Sequence, residues 1–535
     1  MNQGQDPLTP VTDGTDGKII DVTSREPEIP ARLPRPVQRT TAKPAGKMRI
    51  EVAGDDMTLS SLSGRIGKAL SKFGCYSRAD ELVIWDDEIS GLRSISADRL
   101  RTFAEDYIEF FGYNLKGETV VTSLTIDMAR AVLASPQFHR RLPRILRVNS
   151  CPQPVVREGG QIELLPYGYD AEFKTLTVGT IDTIASIGKD EAVEELRKLF
   201  SEFEFINREQ GVSVAVAMMV GMFIGTMLGT KSLRPALIVL ANAEGAGKSL
   251  LVKIILLTVL GRAPIGTRPE REEEFEKLLL SIVREARPVL FLDNLRGTLA
   301  SPRLEAFITA EEWTGRLLGR NETFTAANQA TVFITGNGLT VSPDLRRRSL
   351  FIELTMRAER AEDRVFKQQL DDMVLTEKRP HILACLWSLI RNWETMGQPL
   401  SSRSHSAFPF WAEFVGGIVE AAGFSCPFET PHLTQPVDRN GDDMRRLVET
   451  MNEEQQYEFS TLVSIMREVG AFESIVGVDD SDDPNFPEIR KLKPAESSKL
   501  GRLLAGYDQR QVGDWRFIVE GKGHAKRFYK AALTE

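Results

Sequence analysis

Cysteine and histidine are scarce in this chain. Among its 535 residues there are four cysteines and five histidines. The cysteines, Cys75, Cys151, Cys385 and Cys426, lie far apart without a CxxC pair, and no histidine stands beside them at the spacing of metal ligands. This pattern argues against a zinc site and fits the reducing conditions of a cytoplasm.

A secretion signal is also missing, because no apolar run follows a basic stretch near the N-terminus. We therefore expect a cytoplasmic protein. One apolar stretch, residues 212–228, suggests a membrane span, and Gly221, Gly225 and Gly229 are spaced as in packed transmembrane helices. The stretch is short for a span and leads directly into an apolar strand, which favours a helix buried in a soluble core. A membrane-anchored protein is the alternative.

Neither sign of charge dominates the chain, whose formal net charge is −8. This value argues against a general coat of basic charge. A local basic face on an acidic protein can still hold nucleic acid. The length and the hydrophobic content of 42% allow about three or four domains, each with its own core.

The chain changes character along its length. Seven prolines and no apolar periodicity before residue 54 predict a disordered arm. Strand-like pieces such as residues 81–85 then mix with helix-like ones such as residues 97–111, which predicts an α+β region. In residues 234–354, apolar strand runs alternate with helical stretches, the pattern of a parallel sheet covered on both faces.

A phosphate-binding loop lies in this α/β region. Residues 235–240 read as a strand, residues 242–249 (Asn-Ala-Glu-Gly-Ala-Gly-Lys-Ser) as a tight loop and residues 250–260 as a helix. Backbone N–H groups of such a loop face a triphosphate, while its lysine reaches the β and γ phosphates and its serine holds Mg²⁺. Asn242 replaces the first glycine, a change that the left-handed tolerance of asparagine permits. The predicted ATP-binding residues are Gly245, Ala246, Gly247, Lys248, Ser249 and Leu250.

A Walker B element follows at a suitable distance. Residues 288–293 form an apolar run that ends in Asp293, which would bind Mg²⁺ together with Ser249. The next residue is Asn294 rather than the glutamate that often activates the attacking water. The sequence therefore leaves the general base unassigned.

A polar sensor and an arginine run complete the motif set. Residues 330–335 read as a strand that leads to Asn337, which would orient the attacking water if this strand lies beside the loop strand. Arg347 and Arg348 follow in the run Asp-Leu-Arg-Arg-Arg, and a further strand is predicted over residues 350–354. Arginines just past a sensor are typical of fingers that reach a neighbouring subunit's nucleotide, which requires a ring.

Together these motifs resemble the superfamily 3 helicases and the primase-associated ATPases of phages and plasmids, within the wider AAA+ class. The resemblance covers residues 166 to the C-terminus and includes the Pro-Tyr-Gly-Tyr-Asp piece at residues 166–170 and the glycine-containing segment 411–423. It implies a P-loop parallel-sheet core, ATP and Mg²⁺ as cofactors, DNA as the partner, and self-assembly into a ring, expected to be a hexamer.

The resemblance also implies two DNA-contacting regions. In that family a β-hairpin between Walker B and the sensor strand grips DNA, and residues 312–329 occupy that interval, with Arg316 and Arg320 facing phosphates. An ordinary surface loop is the alternative. The C-terminal region resembles a winged helix, and residues 490–535 carry eleven Lys or Arg against five Asp or Glu. Lys522, Lys526, Arg527 and Lys530 would meet duplex phosphates there, or would serve only solubility.

The resulting interpretation is an ATP-dependent DNA helicase or translocase in the replication of a mobile element. A DNA-binding ATPase switch that does not unwind DNA, such as an initiator, a loader or a defence sensor, is the alternative. We find no primase site, since the acid cluster at residues 85–88 lacks a matching metal constellation, so a partner would have to prime. The predicted organisation is a disordered arm (1–56), an α+β accessory domain (57–185), an AAA+ ATPase core (186–360), a helical region (361–440) and a winged-helix domain (441–535).

Overall fold

The structure is a computed structural model of the chain. It describes residues 47–52, 58–179, 184, 187–229, 232–241, 245–269, 271–317, 323–337, 339–355, 372–429, 439–453, 455–477, 492–509, 511–521 and 526–532. The arm over residues 1–46 lies outside these ranges.

Short strands and helices alternate in the accessory region, residues 47–179. In chain order they are β1 (Met48–Glu51), α1 (Leu59–Leu70), β2 (Cys75–Arg78), β3 (Glu81–Asp86), β4 (Gly91–Ser94), α2 (Ala97–Glu105), β5 (Ile108–Tyr113), β6 (Thr119–Val121), α3 (Ile126–Ala134), α4 (Pro136–Arg141), β7 (Arg147–Asn149), β8 (Pro154–Val156), β9 (Ile162–Leu164), β10 (Gly168–Asp170) and β11 (Thr175–Thr177). Strands β1, β5 and β6 form one sheet and β2, β3 and β4 another, consistent with a mixed α/β region.

Two predictions for this region are wrong in part. The arm was expected to reach residue 56, but β1 pairs in parallel with β5 at residues 48–51. The alternation of apolar and charged residues there indicates a strand, and the proline-rich composition upstream obscured it. The helix expected over residues 97–111 ends at Glu105, because the following segment alternates buried and half-buried side chains and forms β5.

The central region contains a four-stranded parallel sheet. Its elements are α5 (Lys189–Leu199), α6 (Arg208–Phe223), α7 (Gly225–Leu228), β12 (Ala236–Ala241), α8 (Lys248–Leu260), α9 (Glu272–Arg284), β13 (Val289–Leu295), β14 (Thr298–Leu299), α10 (Pro302–Ile308), β15 (Glu312–Arg316), β16 (Thr323–Ala327), β17 (Thr331–Asn337), β18 (Thr340–Val341), α11 (Pro343–Arg346), β19 (Ser349–Leu354), α12 (Asp372–Thr395) and α13 (Pro409–Ala421). The strand order is β13-β17-β12-β19, with every pairing parallel. The predicted parallel sheet is confirmed, and its fully buried β12 fits a sheet covered on both faces.

The apolar stretch at residues 212–228 lies inside this core. In α6, every residue from Gln210 to Phe223 is buried. A Cβ at Gly221 would lie 2.7 Å from the Nε1 atom of Trp411, so the missing side chain lets α13 approach closely. The buried helix is therefore confirmed. Among the described residues, no helix combines the length and the hydropathy needed to cross a membrane.

Arginine side chains join the accessory region to the ends of the core helices. Arg284, in the last turn of α9, makes two hydrogen bonds of 2.7 and 2.9 Å to the carboxylate of Glu81. The buried Arg78 donates to the carbonyl of Val283 at 3.0 Å, which satisfies an acceptor at the C-terminal end of α9. Arg379 of α12 donates to the carbonyls of Thr258 and Val259 at the end of α8, and also to the carbonyl of Ser150 in the accessory region. The accessory region is thus hydrogen-bonded directly to the sheet-covering helices.

In the described part of the C-terminal region, four helices precede a small antiparallel sheet. Its elements are α14 (Arg439–Thr450), α15 (Phe459–Glu468), α16 (Glu473–Val476), α17 (Pro494–Ala505), β20 (Gln511–Val512), β21 (Trp515–Glu520) and β22 (Arg527–Ala532). They enclose a separate hydrophobic core that includes Met444, Leu462 and Phe517. The winged-helix assignment of this region stays a prediction.

Candidate nucleotide-binding site

The described part of the phosphate loop, residues 245–247, leads directly into α8. Gly245 and Gly247 have positive φ values of 79° and 89°, a conformation that glycine adopts without strain. Gly247 is the N-cap of α8, Lys248 is the first helical residue, and Ala246 is buried while Leu250 is partly buried. The loop therefore places backbone N–H groups and a helix N-terminus at the carboxyl end of the sheet, where an anion is stabilised. Asn242 lies outside the described residues.

The Walker B carboxylate contacts the loop serine directly. Ser249 Oγ donates to Asp293 Oδ1 at 2.7 Å. Thr335 Oγ1, on the neighbouring strand β17, donates to the same oxygen at 2.5 Å. The Thr335 hydroxyl also accepts the backbone N–H of Asn294 at 2.8 Å. This fully buried threonine thus fixes both the carboxylate and the backbone that follows it.

Thr335 is the last residue of the predicted sensor strand, and the motif itself predicts no role for it. Its spacing does indicate a role at the site, because Thr335 precedes Asn337 by two residues and residues two apart on a strand face the same side of the sheet. Its importance depends on β17 lying next to β13, which the structure shows.

The loop lysine and the sensor asparagine also meet. Lys248, only 6% exposed, donates from Nζ to Asn337 Oδ1. Because lysine has only donors, the amide oxygen of Asn337 must face it, which turns Nδ2 toward Asn294 Oδ1 at 3.4 Å. These contacts run from the first residue of α8 through the sensor strand β17 to the Walker B strand β13. Asn337 therefore lies between Lys248 and Asn294.

The oxygen atoms at this site suit Mg²⁺. The Ser249 hydroxyl and an Asp293 carboxylate oxygen lie 2.7 Å apart, and both are hard oxygen ligands. Mg²⁺ in nucleotide sites uses one or two such protein ligands and completes its shell with phosphates and water. Among the described residues there is no cluster of three or more Asp, Glu, His or Cys able to hold a metal alone. Ser249 and Asp293 would therefore hold Mg²⁺ only together with a triphosphate.

The residue after the Walker B aspartate has unusual backbone geometry. Asn294 has a φ of +56°, in the left-handed region that asparagine tolerates better than most residues. The pairing between β13 and β17 is interrupted between Leu292 and Leu295, which encloses this position. An amide, which cannot accept a proton at neutral pH, therefore stands where a general base would be expected.

The two predicted finger arginines occupy different environments. Arg347 has a side chain that is 69% exposed, and its guanidinium contacts Asp344. Arg348 is 17% exposed, pairs with Asp344 at 2.8 Å and also donates to the backbone carbonyl of Glu305 in α10. Arg348 therefore connects α10 to the segment before β19. Of the two, Arg347 has the more exposed side chain.

A β-hairpin lies between the Walker B and sensor strands, as predicted. Strands β15 and β16 pair antiparallel from Glu312↔Ala327 to Arg316↔Thr323. One face packs on the core, since Phe324 is buried and a Cβ at Gly315 would lie 2.9 Å from Leu280 of α9. The other face exposes Glu312, Thr314, Arg316, Thr323 and Thr325. The predicted turn, including Arg320, lies outside the described residues.

The C-terminal hairpin corrects one predicted phosphate contact and weakens another. Lys530 is 5% exposed, with its ammonium 4.1 Å from the ring centroid of Trp515 in a cation–π contact, so it cannot meet duplex phosphates in this conformation. Arg527 pairs with Glu458 at 2.9 Å, which competes with phosphate binding. Lys526 is partly exposed. Lys522 and the turn around it lie outside the described residues.

Comparison with known proteins gives no family assignment: no family model matches the chain and no curated protein matches it. Similar solved structures include the apo A form of the NrS-1 C-terminal region, with 10% identity and a TM-score of 0.38 over 88% of this chain and 98% of that one. Another is the SCCmec type IV Cch active helicase, with 9% identity and a TM-score of 0.34 over 85% and 90%. The JCV helicase, bound to a small molecule, has 15% identity and a TM-score of 0.21 over 44% and 66%. At these TM-scores the likenesses carry no argument about function, which therefore depends on the site.

Proposed function

We propose that this chain is an ATP-hydrolysing DNA helicase or translocase of the superfamily 3 type, working as a ring in the replication of a mobile genetic element. The observation that carries the proposal is the meeting of Lys248, Ser249, Asp293 and Asn337 at the carboxyl edge of one parallel sheet. These are a phosphate-binding cation, two Mg²⁺ ligands and a polar group for the γ-phosphate. This combination suits phosphoryl transfer, where positioning and charge stabilisation supply most of the catalysis.

In the proposed mechanism the nucleotide replaces contacts that the side chains make with one another. The γ-phosphate takes the Lys248 ammonium from Asn337 Oδ1, which frees the amide to orient the attacking water. Ser249 and Asp293 would hold Mg²⁺, which would supply positive charge against the triphosphate. Thr335 keeps the Asp293 carboxylate in place through its 2.5 Å hydrogen bond.

The test is an ATPase and strand-separation assay with Lys248→Ala. We expect ATP hydrolysis to fall by roughly 10²- to 10³-fold, as when one preorganised electrostatic donor is removed. Lys277→Ala, a surface lysine of α9 paired with Glu274, is the matched control and should retain activity. ATP-dependent unwinding that survives Lys248→Ala would dismiss the assigned site.

The exposed Arg347 supports assembly into a ring, proposed as a hexamer. If Arg347 acts on the neighbouring protomer's nucleotide, Arg347→Ala and Lys248→Ala are each inactive for different reasons. Mixing the two variants then restores hydrolysis at interfaces where an intact Lys248 meets an intact Arg347. A mixture that stays as inactive as its components argues against an arginine contributed in trans.

A second candidate function is a DNA-binding ATPase switch, such as an initiator, loader or defence sensor, and the geometry at Asn294 favours it. With an amide after the Walker B aspartate, hydrolysis should be slow, which suits a change of assembly more than continuous stepping. The hairpin separates the two candidates. If Arg316→Ala combined with Arg320→Ala abolishes strand separation and leaves ATPase activity intact, the motor is supported. No strand separation by the wild-type protein, with normal ATP-dependent DNA binding, supports the switch. In either case a separate primase would have to supply primers.

A further inference from the structure

Carboxylates are absent from two segments of the accessory region. Between Asp56 and Asp80, and again between Asp127 and Glu158, the sequence contains no Asp or Glu, and the two segments together carry ten Lys or Arg. The whole chain has 75 acidic residues against 67 basic ones, so this separation is strongly local. A charge distribution of this kind creates a positive potential on an otherwise acidic protein.

The fold brings these two segments together. Helix α1 comes from the first segment, α4 comes from the second, and the two helices pack against each other. The close contact is at Gly67, where a Cβ would lie 2.6 Å from the carbonyl oxygen of Phe138 and 3.1 Å from the Cβ of Arg141. The residue after Gly67 is Lys68. The missing side chain at Gly67 therefore lets Arg141 pack against α1 at the position before Lys68.

The cations at this junction are exposed. Lys68 lies in the last turn of α1 and is exposed, while Leu62, Ile66 and Leu70 of the same helix are buried. Lys72, also exposed, lies in the turn just after α1. Arg140 and Arg141 form the exposed last turn of α4. We call Lys68, Lys72, Arg140 and Arg141 the α1–α4 basic face. None of these four side chains forms an ion pair with a carboxylate of the described part of the chain.

Other helices of the protein arrange their charges differently. Lys277 pairs with Glu274 on α9, Lys198 with Glu195 on α5, and Arg130 with Asp127 on α3. Such i,i+3 pairs reduce repulsion and add a little helix stability. The α1–α4 basic face lacks them and places like charges together, which costs stability. A polyanionic partner offsets this cost.

We propose that the α1–α4 basic face binds the phosphodiester backbone of DNA. The four cations of the face suit phosphate groups, so binding is expected to be sequence-blind and strongly salt-dependent. It forms a DNA site separate from the hairpin β15–β16. Because α9 is hydrogen-bonded to the accessory region and also packs under β15, DNA held here stays close to the core. The inference goes beyond the proposed ATPase and does not depend on it.

The experiment measures binding of the full chain to labelled mixed-sequence DNA by fluorescence anisotropy, without nucleotide and with EDTA, over a range of salt concentrations. Duplex and single-stranded DNA form separate arms. The test variant is Lys68→Gln with Arg140→Gln and Arg141→Gln. The matched control removes three exposed cations elsewhere in the same region: Arg99→Gln, Lys116→Gln and Arg130→Gln. A charge-retaining variant, Lys68→Arg with Arg140→Lys and Arg141→Lys, tests charge against side-chain identity.

We expect the test variant to lose at least tenfold in affinity in one or both arms. Its plot of log affinity against log salt should flatten by about 2 to 3, since each lost phosphate contact removes about 0.9 from the slope. The control and the charge-retaining variant should bind like the wild type. Thermal unfolding and DNA-free ATPase activity of all variants verify that the fold is intact.

Two results overturn the proposal. One is equal DNA affinity in the test variant and the wild type. If the test variant at the same time loses binding to anionic lipid vesicles, measured in parallel, the face belongs to a membrane surface instead. The other is an equal loss in the test variant and the matched control, which would show a general effect of net charge. Loss of ATPase activity in Lys248→Ala without loss of nucleotide-free DNA binding would leave this inference standing.

Discussion

The side chain of Thr335 provides the sharpest test of the nucleotide site, because Thr335→Val removes one hydroxyl and keeps the shape. The hydroxyl is fully buried and makes two hydrogen bonds: it donates to Asp293 Oδ1 at 2.5 Å and accepts from the Asn294 N–H at 2.8 Å. A hydrogen bond to a charged group contributes about 1.5–3 kcal/mol, and a buried donor left unpaired costs about 1–3 kcal/mol.

These two effects do not add fully. Asp293 retains the hydrogen bond from Ser249, and Asn294 is itself exposed, so water can reach part of its backbone. We therefore expect Thr335→Val to remove about 2–3 kcal/mol of favourable interaction free energy at the site. If all of it fell on the transition state, the rate of ATP hydrolysis would drop by about 30- to 150-fold, since about 1.4 kcal/mol corresponds to tenfold.

The assay is steady-state ATP hydrolysis titrated with Mg²⁺, alongside urea unfolding of the same protein. Thr335→Val should raise the Mg²⁺ concentration for half-maximal activity, because the carboxylate is no longer held toward Ser249. Thr335→Ser keeps the hydroxyl and loses one methyl group, so it should cost about 1 kcal/mol of unfolding free energy and leave the Mg²⁺ dependence unchanged. Wild-type Mg²⁺ dependence and stability in Thr335→Val would refute the positioning role.

Three further predictions concern the surroundings of the site. In urea unfolding, Gly221→Ala should destabilise the protein by about 1–3 kcal/mol because its Cβ would collide with Trp411. Gly64→Ala, in open space on α1, should instead stabilise the protein by about 0.5–1 kcal/mol. Equal effects of the two substitutions would contradict the close helix contact. Arg348→Ala should lower the free energy of unfolding by about 1–3 kcal/mol, because the contacts with Asp344 and with the Glu305 carbonyl are lost. Arg347→Ala should leave the free energy of unfolding unchanged. A larger loss in Arg347→Ala than in Arg348→Ala would show that their environments are misassigned. Brief alkylation of the native protein at pH 8, followed by mass spectrometry, should modify the partly exposed Cys426 first. Burial raises the pKa of the Cys151 thiol to about 11 and that of the Cys385 thiol to about 12, so both should react slowly. Early labelling of Cys151 would contradict its burial.

Much of the core could be predicted from local sequence patterns. Strands β12, β13, β17 and β19 are apolar runs between helical stretches, and each was expected within about two residues of where it lies. The chemistry-bearing residues stand at strand ends, where parallel strands place side chains at one edge of the sheet. Spacing alone therefore indicated which residues would gather, although their catalytic roles remain predictions.

What the sequence could not supply was the lateral order of those strands. The sensor strand β17 lies between β12 and β13, although β12 and β13 precede it in the chain. That order lets Asn337 contact both Lys248 and Asn294, and lets Thr335 reach Asp293. The exposure of individual side chains could not be predicted from the sequence either, because it differs between neighbours: Arg347 is exposed, whereas Arg348 contacts α10. Lys530 looked free in a basic segment, but tertiary packing places it over Trp515.

The hydrogen bonds around Asn294 connect these points to the choice between motor and switch. Its side chain accepts from Asn337, and its backbone N–H is held by Thr335 in a left-handed conformation. A glutamate at this position would keep the backbone contact but place a carboxylate against the Asn337 amide, where it could accept a proton from water. Asn294→Asp introduces a shorter carboxylate at a position whose φ aspartate tolerates. Faster hydrolysis in Asn294→Asp at unchanged ATP affinity would mean that the natural chain is restrained at the chemical step, as a switch requires. Slower hydrolysis would mean that the amide pair itself orients the water, as a motor without a Walker B glutamate requires.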